Sequence, residues 1–351
     1  MVPCQEGSFL QAGTGRTGKL NTDRCDSFSW EVLYTRGAEK REINMSLTRR
    51  DLLVRSAAVV AATQVAGVSR LLGAYAKSKP GVQMYMVAAD FKKDPAGTLA
   101  KLHSIGYGYV EAFAMGIPDM AAFKKMVSDA GLGCPSGHFG FGFLPTEKVL
   151  DDAGVLGVKY VVSSVLPPEP PEKVDEIAIM QMMNHLTTDG FKRMAAQANG
   201  IGESAKKRGL EFAYHNHNVE FRKLEGGTTG YEILLKETDP ALVKLEVDAG
   251  WMAAGGADPA ALIAANAERV KLMHFKDFST VTPAINELGP AAGGHIVDLG
   301  AGVAPLKAAY EAARKAGVEY FIVDHDPPFH GKTALEAAKV DYSYVAGLMS
   351  A

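Results

Sequence analysis

The sequence predicts an α/β protein folded as a (β/α)8 TIM barrel. From Gly81 onward, short apolar runs alternate with helical patterns, the rhythm of βαβ units around a parallel sheet. Eight strand-like runs occur before the chain ends, the number that closes a barrel. Several of these runs finish in His, Asp or Glu, and a barrel collects its strand ends at one mouth. The alternative is a doubly wound open sheet. Against it, no Gly-rich dinucleotide fingerprint or phosphate loop follows the first run.

Taken in order, Val82–Val87 reads as the first strand, and residues 95–104 as a helix with Leu99, Leu102 and Ile105 on one side. Tyr109–Phe113 is the second strand, followed by a helix over 119–130 that Gly131 stops. Leu132–His138 and Val158–Ser163 are the third and fourth. A Pro-rich segment, Leu166–Pro171, then leads into a helical stretch from about 173 to 208. That stretch is longer than a crossover needs, so part of it is expected to form a lid or subunit contact. The fifth to eighth strands are 210–215, 243–248, Val270–Phe275 and Tyr320–Val323. Before the last comes a helix over 303–316, with Leu306, Ala309, Tyr310 and Ala313 on one face and Gly317 as its stop.

The 351 residues would hold one large or two average domains, and a barrel of about 250 residues is one. Hydrophobic content of 47% and charged content of 22% are those of an ordinary globular chain. A net charge of -3 leaves no electrostatic footprint for nucleic acid or an anionic membrane. Cys4, Cys25 and Cys134 have no metal-ligand spacing and make no disulfide framework.

The N-terminal region carries an export pattern. Met45-Ser46-Leu47-Thr48-Arg49-Arg50 resembles a twin-arginine signal. A weak apolar stretch and the small-x-small site Ala74-Tyr75-Ala76 follow it. The expected organisation is an upstream extension over 1–44, non-native or disordered, a signal peptide over 45–76, and a single barrel domain over 77–351. A periplasmic location without membrane anchoring after processing follows from that pattern.

The candidate chemistry lies at the strand ends: Glu111, His138, His215, His217, Asp248, His274, Lys276 and Asp324. Imidazole and carboxylate together are the mixed N/O donors that suit a divalent first-row ion. His215, Asp248 and His274 are expected at equivalent depths of consecutive strands. Alternation places Asp324 and Asp326 on one side and His325 on the other, and lets His215 and His217 share a face. Glu220 is an alternative ligand, a substrate contact or a helix cap. Lys276 and Asp277 either orient a substrate oxygen or form a surface ion pair. Trp251 and Phe139 are candidate sugar-stacking platforms, although rings of this kind more often serve packing. His103, His185 and His295 are read as structural.

These motifs resemble the xylose isomerase-like TIM-barrel family, which includes sugar isomerases and epimerases, inosose dehydratase-like lyases and endonuclease IV. The resemblance covers roughly 81–348. It is strongest in Tyr214–Phe221, His274-Phe275-Lys276-Asp277, and Leu299–Val303 through Lys315–Asp324. It implies four metal ligands from strands five to eight, at His215, Asp248, His274 and Asp324. His stands where the family often has its first Glu, and Asp where it has its last. Asp248-Ala249-Gly250-Trp251 lacks the second ligand of the family's Asp-x-x-His, which argues against the multi-metal nuclease branch.

The expected activity is metal-dependent isomerisation or epimerisation of a non-phosphorylated sugar or keto-sugar. The ion would be Mn, Zn, Mg or Co. A proton next to a carbonyl is removed through an enediolate, with Glu111, His138, His217 and Lys276 as catalytic candidates and Trp251, Asp277 and Asp326 as substrate contacts. The same intermediate can expel a β-oxygen substituent, which makes a lyase acting on a 3-keto-sugar or inosose-like substrate the alternative. A non-catalytic periplasmic sugar-binding barrel is the third reading. The expected partner is a small sugar or polyol, with no nucleic acid, and the chain is a candidate homo-oligomer.

Overall fold

A computed structural model of the chain describes residues 27–36, 39–48, 79–167 and 176–350. It divides into two units, Met1–Leu72 and Gly73–Ala351. In the first, β1 (Ser27–Arg36) and β2 (Glu39–Thr48) pair antiparallel, with Arg36 opposite Glu39. Paired strands therefore lie in part of the upstream extension expected to be non-native or disordered, and Met45–Thr48 of the export pattern belong to β2. Arg49, Arg50 and residues 51–76 of the expected signal lie outside the described residues. Among the described residues no helix is long and apolar enough to cross a membrane.

The second unit is a closed barrel of eight parallel strands. They are β3 (Gly81–Gln83), β4 (Tyr109–Phe113), β5 (Gly133–His138), β6 (Tyr160–Ser163), β7 (Glu211–His215), β8 (Val243–Asp248), β9 (Val270–Phe275) and β12 (Tyr320–Val323). The order follows the chain, and β12 closes on β3. The expected first strand is shorter than its apolar run, because Met84–Val87 turns into a 3-10 helix that the Gln83 side chain caps. The helical stretch after β6 is two helices, Glu176–Asn184 and Thr188–Lys207. Between β9 and β12 the chain makes an excursion that includes β10 (Asp277–Phe278) and β11 (Ile296–Val297), paired antiparallel.

Alternation sorts each strand into two faces. Val110, Val161, Phe212, Val247, Met273 and Val323 pack in the main core cluster. Tyr109, Tyr160, Val162, Ala213, Leu272 and Ile322 form a separate buried cluster in the barrel interior. Moving two residues towards the C-terminal end from Tyr109, Ala213, Leu272 and Ile322 gives Glu111, His215, His274 and Asp324. The interior layer is thus apolar below and ionisable above, and polar chemistry collects at the mouth.

Candidate active site

Barrel stagger decides which strand-end residues meet. Asp248 lies opposite His274, but His215 lies opposite Glu246, two residues earlier on β8. The expectation that His215, Asp248 and His274 share one depth is therefore corrected. A closed barrel needs a register offset around its circumference, and here the offset brings Glu246 level with His215. Glu246 shares a strand face with Asp248, yet it does not stand at the strand's end, so it was missed. The signal was present in Leu245-Glu246-Val247-Asp248, where an acidic residue interrupts an otherwise apolar buried strand.

Glu246 sits at the centre of a buried cluster. Its Oε2 is 2.8 Å from His138 Nε2, 2.9 Å from His215 Nδ1 and 3.3 Å from His274 Nε2. Glu111 Oε2 is 2.7 Å from His274 Nε2 and 3.3 Å from His138 Nε2, and it accepts a 2.9 Å hydrogen bond from Gln83 Nε2. A second group shares two of these imidazoles: His215, Asp248, His274 and Asp324, gathered within 4.8 Å of one another. In it His274 Nδ1 is 3.2 Å from Asp324 Oδ2. Lys276 Nζ is 3.0 Å from the same oxygen and also bonds Asp326.

Charge in this space follows from burial and neighbours. Burial acts to raise the Glu111 and Glu246 carboxyls, and they also repel each other. The imidazoles of His274 and His138 outweigh this, holding Glu111 well below the usual range and Glu246 at about 2. Burial works against charge on His138 and His274, but the two glutamates hold His138 protonated up to about 9 and lift His274 well above its ordinary value. At His215 burial wins over the bond to Glu246, and the ring is neutral. Burial, with the Lys276 charge beside it, takes His217 down to about 3. Burial raises Asp248 to about 7 against the pull of Lys276. Burial also opposes the Lys276 charge, yet Asp324, Asp326 and Asp248 keep its ammonium form.

The donor set fits a divalent cation. Glu111 Oε1, Glu246 Oε1, Asp248 Oδ2 and Asp324 Oδ1 are buried oxygens without a hydrogen-bond partner, a costly arrangement for anions unless a cation satisfies them. His215 and His274 belong to both groups. Each turns one ring nitrogen towards the glutamates, the carboxylate–histidine support that metal ligands commonly have.

Above these residues opens a cleft of about 540 Å³. His138, His215, His217, Trp251, Lys276, Asp324 and Asp326 line it, with Ile179 and Met180 from the helix Glu176–Asn184 and Leu288–Pro290 from the excursion before β12. The long helical stretch thus supplies part of a cleft wall. Trp251 packs at a tilt against Phe278, lies under the Lys276 ammonium at 5.2 Å and lines the cleft. Phe139 packs in the core instead, against Phe141. His325 turns away from the mouth and donates to Asp341, as the alternation requires.

Two expected site residues have other work. Glu220 is fully buried, with Oε1 accepting the Tyr214 hydroxyl at 2.6 Å and Oε2 accepting the His217 amide at 3.1 Å. Both oxygens are engaged, so it positions the His217 loop and is not one of the gathered ligand groups. Burial raises its carboxyl to about 7. The folded chain therefore holds this proton more tightly than the unfolded chain, whose value is near 4.5. The Glu220 contribution to stability is full below pH ~4.5 and falls as pH rises to about 7. Glu220→Gln is expected to remove that component, on the order of 3 kcal/mol, so that the variant gains on the wild type across this window in urea unfolding at stepped pH. A constant difference between the two proteins would contradict the assignment.

Asp277 is the second correction. Its carboxylate accepts the amides of Phe278, Gly300, Gly302 and Ala304, so it ties the Gly300–Gly302 turn to β10 and does not line the cleft. A Cβ at Gly302 would stand 2.2 Å from Asp277 Oδ1, which explains the glycine there. Asp277→Ala is expected to cost roughly 1–3 kcal/mol in thermal unfolding, because buried amides lose their acceptor.

The comparisons agree with the barrel fold. Residues 99–339 match the family model for the xylose isomerase-like TIM barrel. Inosose dehydratase of Lacticaseibacillus casei is 29% identical over 170 residues, 44% of this chain and 55% of that one. The chain spans about half the length of that curated relative. A sugar phosphate isomerase/epimerase from Parabacteroides distasonis superposes with a TM-score of 0.60 at 25% identity, covering 76% of this chain and 93% of the other. The structure of L-ribulose 3-epimerase shares the fold, with a TM-score of 0.55 at 15% identity over 78% of this chain and 94% of that one. With the closed barrel, the ionisable mouth and the match over most of the barrel, the chain belongs to the xylose isomerase-like TIM barrel family.

Proposed function

We propose that the cleft removes a proton from carbon next to the carbonyl of a non-phosphorylated sugar or cyclic polyol and expels the β-oxygen substituent, as a dehydratase or glycoside-cleaving lyase does. The observation that supports it best is the buried set of carboxylates and imidazoles with free oxygens at the foot of a cleft of about 540 Å³. A divalent ion held by His215 and His274 with neighbouring carboxylates supplies Lewis acidity towards a carbonyl or hydroxyl oxygen. His217, unprotonated, and Asp324, ionised with a free Oδ1, are the cleft's proton acceptors. Lys276 offers an ammonium to the oxygen on which negative charge develops. As the C–H electron pair forms a C=C bond, the β C–O bond breaks, and its oxygen leaves as water or an alcohol by taking up the proton that the acceptor removed from carbon.

Phosphate fits poorly, because the cationic groups among the described lining residues are already matched, Lys276 by Asp324 and Asp326 and His138 by Glu111 and Glu246. Export of the chain, which we propose from the twin-arginine pattern, also favours a free or oxidised sugar. The inosose dehydratase relatives favour elimination. A second reading, isomerisation or epimerisation, draws on the Parabacteroides distasonis neighbour and would return the proton to carbon instead. The test is product analysis with the full chain loaded with Mn2+ or Zn2+ and offered inososes, 3-keto-glycosides, free sugars and sugar phosphates. An unsaturated ketone with loss of water or aglycone is the expected result. A rearranged sugar of unchanged mass would replace elimination by the second reading, and activity confined to sugar phosphates would overturn the substrate class.

A further inference from the structure

We infer that the opening of the cleft is a subsite for the leaving group, and that it takes an aromatic ring. The substrate is then a glycoside of a keto-sugar whose glycosidic oxygen carries an aromatic group. The chemistry of the departing oxygen rests on the elimination proposed above, whereas the subsite rests on the cleft wall alone. A cleft of about 540 Å³ lies in the range that encloses a drug-sized ligand, larger than a lone hexose. Its lining is sorted by depth. His215, Lys276 and Asp324, at or just past the strand ends, are buried. Tyr85 is exposed, and Phe113, Ile179, Met180 and Leu288 are half-buried, so the described lining turns apolar towards the opening. Tyr85 follows β3 and Phe113 ends β4, across the ring of strands from β8, which Trp251 follows.

A second sugar is poorly served at this opening. Apart from the ionisable groups, and from Gln83, whose amide is engaged with Glu111 and the Tyr85 backbone, the described lining offers side-chain hydrogen bonds only through Tyr85, Ser164 and the Trp251 indole. Sugar hydroxyls enclosed without partners weaken binding. An aromatic ring has no such need and meets surfaces suited to it. Tyr85 and Phe113 make an edge-to-face pair at 5.2 Å, and Met180 brings a polarizable thioether. The wall is also fixed in advance. Asn184, which ends the helix Glu176–Asn184, exchanges hydrogen bonds of 2.9 and 2.7 Å with the Leu288 backbone, and Asn218 donates to the carbonyls of Ile285 and Glu287. Helix and excursion thus form one apolar surface that loses little freedom on binding. In the reaction, a proton leaves the carbon between the carbonyl and the glycosidic carbon, and its C–H pair forms the C=C bond. The glycosidic C–O bond breaks, and the oxygen departs with both bond electrons and takes up that proton as an aromatic alcohol.

Two measurements on the full chain loaded with Mn2+ test the subsite, one of them without turnover. In isothermal titration with the unoxidised, unreactive benzyl and methyl glucosides, the benzyl compound is expected to bind at least ~10-fold tighter. In the elimination assay, the benzyl 3-keto-glucoside should exceed the methyl one at least ~10-fold in kcat/KM. Their two alcohols are of similar acidity, so intrinsic leaving ability cancels from the comparison. The double variant Ile179→Asn, Met180→Gln should bring the benzyl-over-methyl ratio close to one in both measurements. Each ratio is taken on a single preparation, so any loss of folded protein cancels as well. Equal or undetectable binding of the two glucosides, a ratio unchanged in the double variant, or faster elimination from a keto-disaccharide than from the benzyl compound would overturn the aromatic subsite. Elimination at equal rates from both keto-glucosides would leave the proposed reaction standing without it. Benzyl-selective binding that the double variant loses, in a protein inert towards every keto-glycoside, would leave the subsite standing and remove the proposed reaction.

Discussion

His274→Gln is expected to abolish metal binding and lower turnover on the order of 10³-fold or more, with a loss of about 3 kcal/mol in stability because buried carboxylates lose the imidazole between them. The expectation comes from the two-sided use of this ring. One nitrogen faces Glu111 and Glu246, the other faces Asp324, and the side chain is completely buried. A glutamine amide can still donate towards Glu111, so the local fold keeps a hydrogen bond, but it cannot serve two carboxylate groups or ligate as imidazole does. Metal content by emission spectrometry and a single-turnover assay on the same preparation check both parts. Retained metal at wild-type stoichiometry would show that the imidazole cluster is not where the ion binds.

Lys276→Met is expected to destabilise the chain by about 3 kcal/mol, the lower part of the range for breaking a buried ion pair. Lys276 is 1% exposed and neutralises Asp324 and Asp326, of which Asp326 retains some contact with solvent. Without the ammonium, Asp324 is left with the His274 ring, and proton affinity at these carboxylates rises. Adding Asp326→Asn to Lys276→Met should recover part of the loss, because the second change removes one unpaired charge. Additive losses in the double variant would contradict the pairing. Turnover should fall in Lys276→Met and stay low in the double variant, since the ammonium is missing in both.

The barrel was legible because its strands are buried on the outer face by a near-continuous apolar pattern, and their C-terminal ends carry ionisable residues. Tyr109–Phe113, Val270–Phe275 and Tyr320–Val323 fall where the sequence predicts. The first strand does not, because an apolar run does not distinguish a strand from the 3-10 turn that Gln83 caps. At the mouth, spacing along each strand was readable, which is why Asp324 and Asp326 reach Lys276 while His325 meets Asp341. Offset between strands was not readable. Residues such as Glu246 and His215 are brought level by barrel closure, a property of all eight strands together. The hidden roles of Glu220 and Asp277 have a different cause: each carboxylate is absorbed by hydrogen bonds, to a β7 hydroxyl and to loop amides, that the sequence does not disclose.

The most direct test of the central claim is proton NMR in deuterium oxide, with the metal-loaded full chain acting on an inosose or a 3-keto-glycoside. Deuterium should enter at the carbon next to the carbonyl, or that carbon's signal should vanish as the β-substituent leaves, and a chelator should stop both. Full retention of that proton in every carbonyl sugar tested, with the metal bound, would contradict proton abstraction as the work of this site.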